Sequence, residues 1–392
     1  MRSPKKLITA AAAAVTLFFP LVTPVCTFAE FSVSQAPAYE IYASDSFSSQ
    51  SQAASYLREQ LQARASTVSI TIPKGASSAY DTIDELFSEA MAETGSGTQG
   101  DYIRFGLKSY NCTYSSTSSN YKYSFELKYF TTPAQEAELT QEVDKVLDSL
   151  DLDGKSDYEK ITAVYDFMVT NITYAEDFSD EIIYSSYGAM INKVAVCQGY
   201  AQLLYRMLND SGISCRVIAG TSNGENHTWN IAEIDGLYYL LDSTWDSTFN
   251  GKSKYYFLKG SKDFDSYSSK YDHTAGMSGG ISMPDYTSAE FAAEYPISEY
   301  AYDPTAVPSY TLGDIDDNGV IDGIDASAAL TAYSLASTGK STGFTTAQTL
   351  AADADENSIV DGIDASYILS YYAMQSTGKS YSSLREYIKS LK

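Results

Sequence analysis

In "VAVCQGYAQLLYRML", apolar residues recur at helical spacing through Cys197, Tyr200, Leu203, Leu204, Met207 and Leu208, and Gly212 after "NDS" is a helix stop. The same period predicts helices over Ser48–Ala65, "AELTQEVDKVLDSL" and "YEKITAVYDFMVT". Alternation predicts strands at Thr67–Ile72, at "DYIRFGLKSY" and "YKYSFELKYF" joined by a polar "NCTYSSTSSN" loop, and at "SCRVIAG", "HTWNIAEI" and "LYYLLDSTW". Asp235-Gly236 is a favoured two-residue turn, so the last two strands form a hairpin with Ile234 facing Leu237. Counting outward puts His227 opposite Thr244 and Trp229 opposite Asp242. Residues two apart share a face, so His227 and Asp242 become diagonal neighbours, roughly 7–8 Å apart at Cα. The tract "YPISEYAYDPTAVPSY", with Pro296, Pro304 and Pro308, is predicted to be a linker over 296–310.

Beyond it the pattern repeats. "GDIDDNGVIDGIDASAALTAYSLASTGKS" and "ADADENSIVDGIDASYILSYYAMQSTGKS" align without gaps, which implies two copies of one structural unit. Asp314, Asp316, Asn318, the Val320 carbonyl, Asp322 and Asp325 take positions 1, 3, 5, 7, 9 and 12 of an EF-hand-type loop. Asp353, Asp355, Asn357, the Ile359 carbonyl, Asp361 and Asp364 do the same in the second copy. Calcium takes six to eight oxygens, and this spacing wraps them around one point. Gly319 at position 6 permits the sharp turn, whereas Ser358 there costs roughly 1–2 kcal/mol if it must be left-handed. "DASAALTAY" and "DASYILSYY" then begin short helices.

Charge narrows the partners. With 50 acidic against 26 basic residues and a formal charge of −24, the chain lacks the basic face that nucleic acid or an anionic membrane requires. Arg2, Lys5 and Lys6 precede an apolar run from Leu7 to Phe19, and Thr27-Phe28-Ala29 offers small residues for cleavage. Cys26 follows Val25, a poor match to a lipoprotein box. Residues 1–29 are therefore expected to be an export signal and the remainder a secreted, extracellular protein without membrane insertion. Downstream of it stand Cys112, Cys197 and Cys215; a Cys112–Cys215 bridge is compatible with export but not demonstrated by sequence.

A helix N-terminus favours a thiolate, and Cys197 stands where its helix should start. A base working near neutrality is most often histidine, and the chain has two, His227 and His273. His227 shares its hairpin face with Asp242, which can orient the ring and stabilise imidazolium. His273 lies in a Gly- and Ser-rich loop and is expected at the surface.

These blocks resemble the secreted bacterial transglutaminase-like superfamily: an aliphatic-Cys-x-Gly-Tyr-Ala block, a His-x-Trp-Asn strand and an Asp-x-Thr-Trp strand, spanning about Thr140 to Tyr286. The resemblance implies a papain-like fold with Cys197 as nucleophile, His227 as base, Asp242 as orienting acid and no cofactor for catalysis. Residues from about Leu312 to Ser380 resemble dockerins, the calcium-binding modules that plug into cohesins on scaffoldins. That resemblance implies two calcium ions, partner contacts at Ala326, Ser327, Ala365 and Ser366, and a cellulosome-type complex accessory to plant polysaccharide degradation.

The expectation is an α+β chain in five parts. A signal (1–29) precedes an N-terminal α/β region (30–139), a papain-like transglutaminase core (140–295) and a linker (296–310). A small all-α calcium-binding dockerin (311–392) with two EF-hand-like loop-helix repeats follows. The expected activity is attack on an amide of a protein or peptide substrate through a thioester acyl-enzyme. Water as second nucleophile makes it a peptidase or amidase, and a lysine amine makes it a transglutaminase. The alternative is a non-catalytic binding or structural subunit of the same complex.

Overall fold

A computed structural model describes residues 30–35, 45–248, 254–268, 272–276, 282–306, 310–378 and 381–391. The export signal read over residues 1–29 lies outside the described residues. The first unit comprises β1 (Glu30–Gln35), β2 (Asp45–Ser46), α1 (Gln50–Gln62), β3 (Thr67–Pro73), α2 (Ala79–Ala90), α3 (Asp101–Gly106), β4 (Leu107–Ser116) and β5 (Asn120–Tyr129). Its strands form a sheet in the order β1-β4-β5-β3-β2, with β4, β5 and β3 antiparallel. Ser49 caps α1, and a Ser78–Asp81 capping box starts α2, so both helices satisfy first-turn donors locally. Their apolar faces, Leu57 and Leu61 on one and Ile83, Leu86 and Phe87 on the other, cover Ile70, Tyr123 and Phe125 of the sheet.

The second unit comprises α4 (Pro133–Leu150), α5 (Asp157–Asn171), β6 (Thr173–Tyr174), β7 (Val194–Ala195), α6 (Cys197–Asp210), β8 (Cys215–Ser222), β9 (Glu225–Ile234), β10 (Leu237–Leu241), α7 (Ser243–Thr248), β11 (His273–Ala275) and α8 (Ala289–Glu294). Strands β10-β9-β8-β11 make an antiparallel sheet in that order. Helix α6 packs on β8 and β9 and is buried along nearly its whole length. The third unit holds α9 (Gly323–Ala336), α10 (Thr346–Ala352), α11 (Gly362–Ser376) and α12 (Leu384–Leu391), with α9 and α11 packed together.

Several sequence expectations need correction. "DYIRFG" is the helix α3, not a strand, and every residue of it is buried; a segment enclosed on all sides has no polar face for alternation to report. "NCTYSS" belongs to β4 rather than to the loop. The strand read in "LYYLLDSTW" stops at Leu241, where the chain turns into α7. The division drawn between residues 139 and 140 falls inside α4, which starts at Pro133 behind a Thr132–Gln135 capping box and buries Leu139, Val143 and Val146 in the second core. Part of the tract read as linker is also docked on that core. Tyr238 N donates to Pro296 O at 2.8 Å, Tyr302 N donates to Leu258 O at 2.9 Å, and the Tyr302 ring packs on Tyr158 and Tyr239.

Helix α3 fastens the first unit to the second. Asp101 is fully buried and accepts from Arg216 Nε at 2.8 Å, Val217 N at 2.9 Å and Arg104 Nε at 3.2 Å. Burial pushes its carboxyl up, but the Arg216 and Arg104 charges outweigh burial and hold it below the ordinary carboxylate range. From the other side, Gln198 and Gln202 of α6 donate to Phe105 O and Tyr102 O. Removing one partner of a buried ion cluster strands the others in a medium that cannot solvate them. Asp101→Ala should therefore lower the unfolding free energy of the full chain by about 3–5 kcal/mol, read from urea denaturation. An unchanged midpoint would show that water replaces the carboxylate at no cost.

Candidate functional site

Cys197 is the first residue of α6, behind an extended Val196 with no side-chain cap, so first-turn N–H groups point at the thiol end without a capping partner. The spacing Cys-x-Gly has a steric cause. A Cβ on Gly199 would lie 2.8 Å from both Ile183 O and Ser185 O, so only glycine lets the first turn press against that segment. One turn on, Tyr200 anchors the helix by donating its hydroxyl to Ile172 O at 2.7 Å. Asn230 of β9 ties helix to sheet by donating to Ala201 O at 2.9 Å and Arg216 O at 3.2 Å.

The hairpin forms as its turn chemistry dictates. Asp235 and Gly236 both have positive φ, and Ile234 faces Leu237. The last ladder pair is Leu241 with Asn230, so Thr244 does not sit across from His227. Asp242, one residue beyond the ladder, stays on the His227 face, and His227 Nε2 lies 2.7 Å from its Oδ2. The strand ends there because Asp242 Oδ1 accepts from Thr244 N at 2.9 Å and Trp245 N at 3.0 Å, capping α7. The same cap fixes the carboxylate's direction.

With Nε2 committed to Asp242, the other ring nitrogen of His227 is left for Cys197, to which His227 is hydrogen-bonded. Burial pulls the ring's pKa down, but the charge and hydrogen bond of Asp242, with Cys197 behind them, raise it to about 10. Burial pushes the Asp242 carboxyl up, yet His227 and then His273 hold it far below the usual range. All three side chains are buried, and the His227 ring stacks near Trp229 and Trp245 with centroids 6.1 and 5.3 Å away. The arrangement can hold a thiolate beside an imidazolium.

His273 is the residue that sequence reasoning misplaced. Its side chain is 3 % exposed, and its Nε2 lies 3.0 Å from Asp242 Oδ2, the oxygen His227 uses. Strand β11 brings it there by pairing with Gly220–Ser222 of β8. Gly220 permits the approach, because a Cβ there would lie 2.1 Å from Thr274 O and 2.8 Å from the Trp229 ring. The only signal in the sequence was that histidine is scarce. Both histidines thus lie at hydrogen-bond distance from one Asp242 oxygen.

Cys112 and Cys215 are free thiols, each buried in a different core, so they form no bridge. In the third unit, three carboxylates per loop (Asp314, Asp316, Asp325; Asp353, Asp355, Asp364) each place an oxygen within 4.8 Å of the others. Gly319 and Ser358 are both left-handed, with φ of +84° and +70°. Asp322 and Asp361 cap α9 and α11 in boxes closed by Asp325 and Asp364. Of the expected partner residues, Ser327 and Ser366 are exposed, whereas Ala326 and Ala365 are buried at 3 % in the unit's own core. Those two alanines pack α9 against α11 and offer no partner surface. Among the described residues no helix is long and apolar enough to cross a membrane.

Residues 144–245 match the family model of the transglutaminase-like superfamily, and the chain carries a transglutaminase-like domain there. Human kyphoscoliosis peptidase is 26% identical over 120 residues, which cover 27% of this chain and 18% of that protein, so the match spans under a fifth of the relative's length. Among solved structures, one of a transglutaminase (TGase) is 14% identical with a TM-score of 0.27, covering 47% of this chain and 57% of that one. A candidate cysteine protease from Cytophaga hutchinsonii is 16% identical with a TM-score of 0.23, covering 33% and 55%.

The direction of the His227 shift makes a stability prediction. A histidine whose folded pKa is raised contributes stability that is complete below its unfolded value, roughly 6.5, and that is lost as pH rises through the folded value, about 10. The melting temperature of the wild type should therefore fall from neutral to alkaline pH. His227→Gln should show a flatter curve over that window, and equal slopes would remove the charged His227–Asp242 pair.

Proposed function

We propose that this protein is a cysteine-dependent amide-processing enzyme. The observation that carries the reading is the 2.7 Å bond from His227 to Asp242, with Cys197 hydrogen-bonded to the same ring at the N-terminus of α6. The Cys197 thiolate attacks an amide carbonyl of a protein or peptide, and an S–C bond forms as the carbonyl becomes an oxyanion. First-turn N–H groups of α6 favour that negative charge. On collapse the C–N bond breaks, the amine leaves with the proton from His227, and a thioester remains. A second nucleophile, giving its proton to His227, then attacks the thioester, and cleavage of the S–C bond releases the acyl group and restores the thiolate beside the imidazolium. Asp242 stays ionised throughout, holding the ring's orientation.

Hydrolysis is the preferred second step. The human relative is named a peptidase, and water is the abundant nucleophile around an exported protein; transfer to a lysine amine is the competing outcome. Cys197→Ala and His227→Ala should each abolish turnover with the fold intact, since nucleophile and base act as a unit. Asp242→Asn should retain a trace. Mass spectrometry of a peptide library incubated with the full chain, with and without added amine, reads cleavage, deamidation and cross-linking separately. Full activity in Cys197→Ala would sink the assignment.

The C-terminal unit is proposed to be a dockerin-like module that binds two calcium ions and anchors the secreted enzyme to a cohesin on a cellulosome-type scaffoldin, accessory to plant polysaccharide degradation. The loop residues fit calcium: in the second loop Asp355 Oδ1 is buried without a hydrogen-bond partner, and a buried anionic oxygen without a donor needs a cation. Asp314, Asp316, Asn318, the Val320 carbonyl, Asp322 and Asp325 would hold one ion, and their counterparts from Asp353 to Asp364 the other. Bound calcium supplies positive charge that offsets carboxylate repulsion. The anchoring reading is supported by matched apolar exposure in the two copies: Ile324 with Ile363, Leu330 with Leu369, and Tyr333 with Tyr372. Ser327 lies three residues from Ile324 and from Leu330 on one helical ridge, as does Ser366 between Ile363 and Leu369. Chelation with EDTA should reduce the full chain's helical circular dichroism and remove cohesin binding, while Cys197 alkylation stays unchanged. Undiminished binding in excess chelator would end the calcium claim.

A further inference from the structure

We propose that His273, clamped by Asp265, is a positioning residue that fixes the Asp242 carboxylate for His227 and brings a second positive charge to the thiol site. The inference rests on the cysteine-enzyme reading and deepens it. Its basis is the hydrogen-bond count around one ring. His273 Nε2 lies 3.0 Å from Asp242 Oδ2, and Nδ1 lies 2.7 Å from Asp265 Oδ1. A carboxylate oxygen only accepts, so both ring nitrogens must carry protons for both contacts to be hydrogen bonds. That state is the imidazolium. A neutral ring would turn a lone pair toward one of the two carboxylates inside a buried site.

The clamp is firm. Asp265 Oδ2 also accepts from the His273 backbone N at 3.0 Å, so one carboxylate holds ring and main chain together. The ring is enclosed by Phe264, Trp229 and Tyr256, with centroids 4.3, 5.0 and 5.7 Å away. The titratable groups facing it are Asp242, Asp265 and, at 5.5 Å between centroids, His227, with the Tyr256 phenol on a further side. Asp246 stands behind Tyr256, accepting from its backbone N, and Asp272 next in the chain is exposed. Burial works against charging the ring, but its bonds to Asp242 and Asp265 prevail and raise its pKa.

The consequence concerns both partners of the reaction. Asp242 receives four N–H donors, two from the start of α7 and one from each histidine, so its carboxylate is held in place while His227 exchanges a proton with the thiol. A cation at His273 also partly offsets the Asp242 charge that His227 feels. It thereby restrains the rise in His227 basicity and favours the Cys197 thiolate through space. A histidine that only packed in the core would do neither.

The test uses iodoacetamide, a probe that needs no knowledge of the substrate, on the full chain. Alkylation of Cys197 is followed by peptide mass spectrometry across the pH range in the wild type, His273→Gln, His273→Ala and Asp265→Asn. Gln keeps an N–H donor for Asp242 but no charge. His273→Gln is expected to move the thiolate inflection up by about one pH unit, with a roughly tenfold slower reaction below the inflection and the same plateau above it. His273→Ala should show the same shift with a lowered plateau. Asp265→Asn, at a partly exposed position, should shift the inflection in the same direction without disturbing the buried pair. Inflections equal to wild type in His273→Gln and Asp265→Asn would overturn the inference and leave the enzyme reading standing. A wild-type Cys197 that reacts no faster than a simple thiol at acid pH would overturn both.

Discussion

The charge of Asp242 is the constraint around which the second unit is organised. An ionised carboxylate with no exposed side-chain surface survives only if each lone pair meets a donor, and here backbone and side chains divide the task. One oxygen takes the N–H groups of Thr244 and Trp245 in the first turn of α7, and the other takes two imidazoles. The helix start, the end of β10 and the direction of His227 are thus consequences of one side chain. Any change that frees this carboxylate to rotate loosens all three.

Cys197 reaches the same point from another direction. Helix α6 is positioned by Gly199 against the preceding turns, by Tyr200 against the end of α5, and by Asn230 against β8 and β9. Its flank toward α3 carries Gln198 and Gln202, whose amides bond to the α3 backbone. The first unit therefore buttresses the helix that carries Cys197 through α3 and the Asp101–Arg216 cluster. A displacement at that buried seam would move the thiol relative to His227, and positional errors near ~1 Å would cost heavily in the proposed reaction.

What the sequence made legible followed from local rules. The α6 stripe, the Asp-Gly turn and the face shared by His227 and Asp242 depend on periods and turn chemistry within a few residues. The two acidic loops were legible because they occur twice with the same oxygen spacing. Illegible features depended on distant neighbours. "DYIRFG" alternates like a strand yet is helical because tertiary burial encloses it completely. Ala326 and Ala365 lie at helix starts where a partner would be met, but their small side chains are what let α9 and α11 approach. His273 sits in a segment of turn-forming composition, and its role arises from a pairing with β8 across fifty residues of chain, permitted by the missing Cβ of Gly220.

The second unit and the C-terminal repeats use aspartate in one physical way. A carboxylate that caps a helix has its orientation set by backbone N–H groups, at no cost in further side-chain freedom. In the core, Asp242 spends one oxygen on the cap and presents the other to two histidines. In the repeats, Asp325 accepts from the Asp322 backbone at the start of α9 with one oxygen and from Ile315 N with the other, which draws the loop across the helix end. Asp364 does likewise, toward Asp361 N and Asp355 N. In each place, the oxygen left over from the cap is the one that gathers another chain segment. Helix starts are therefore where this protein fixes the direction of its carboxylates, and the groups gathered there are the donors that face them: imidazoles in the second unit, backbone N–H groups of the loops in the third.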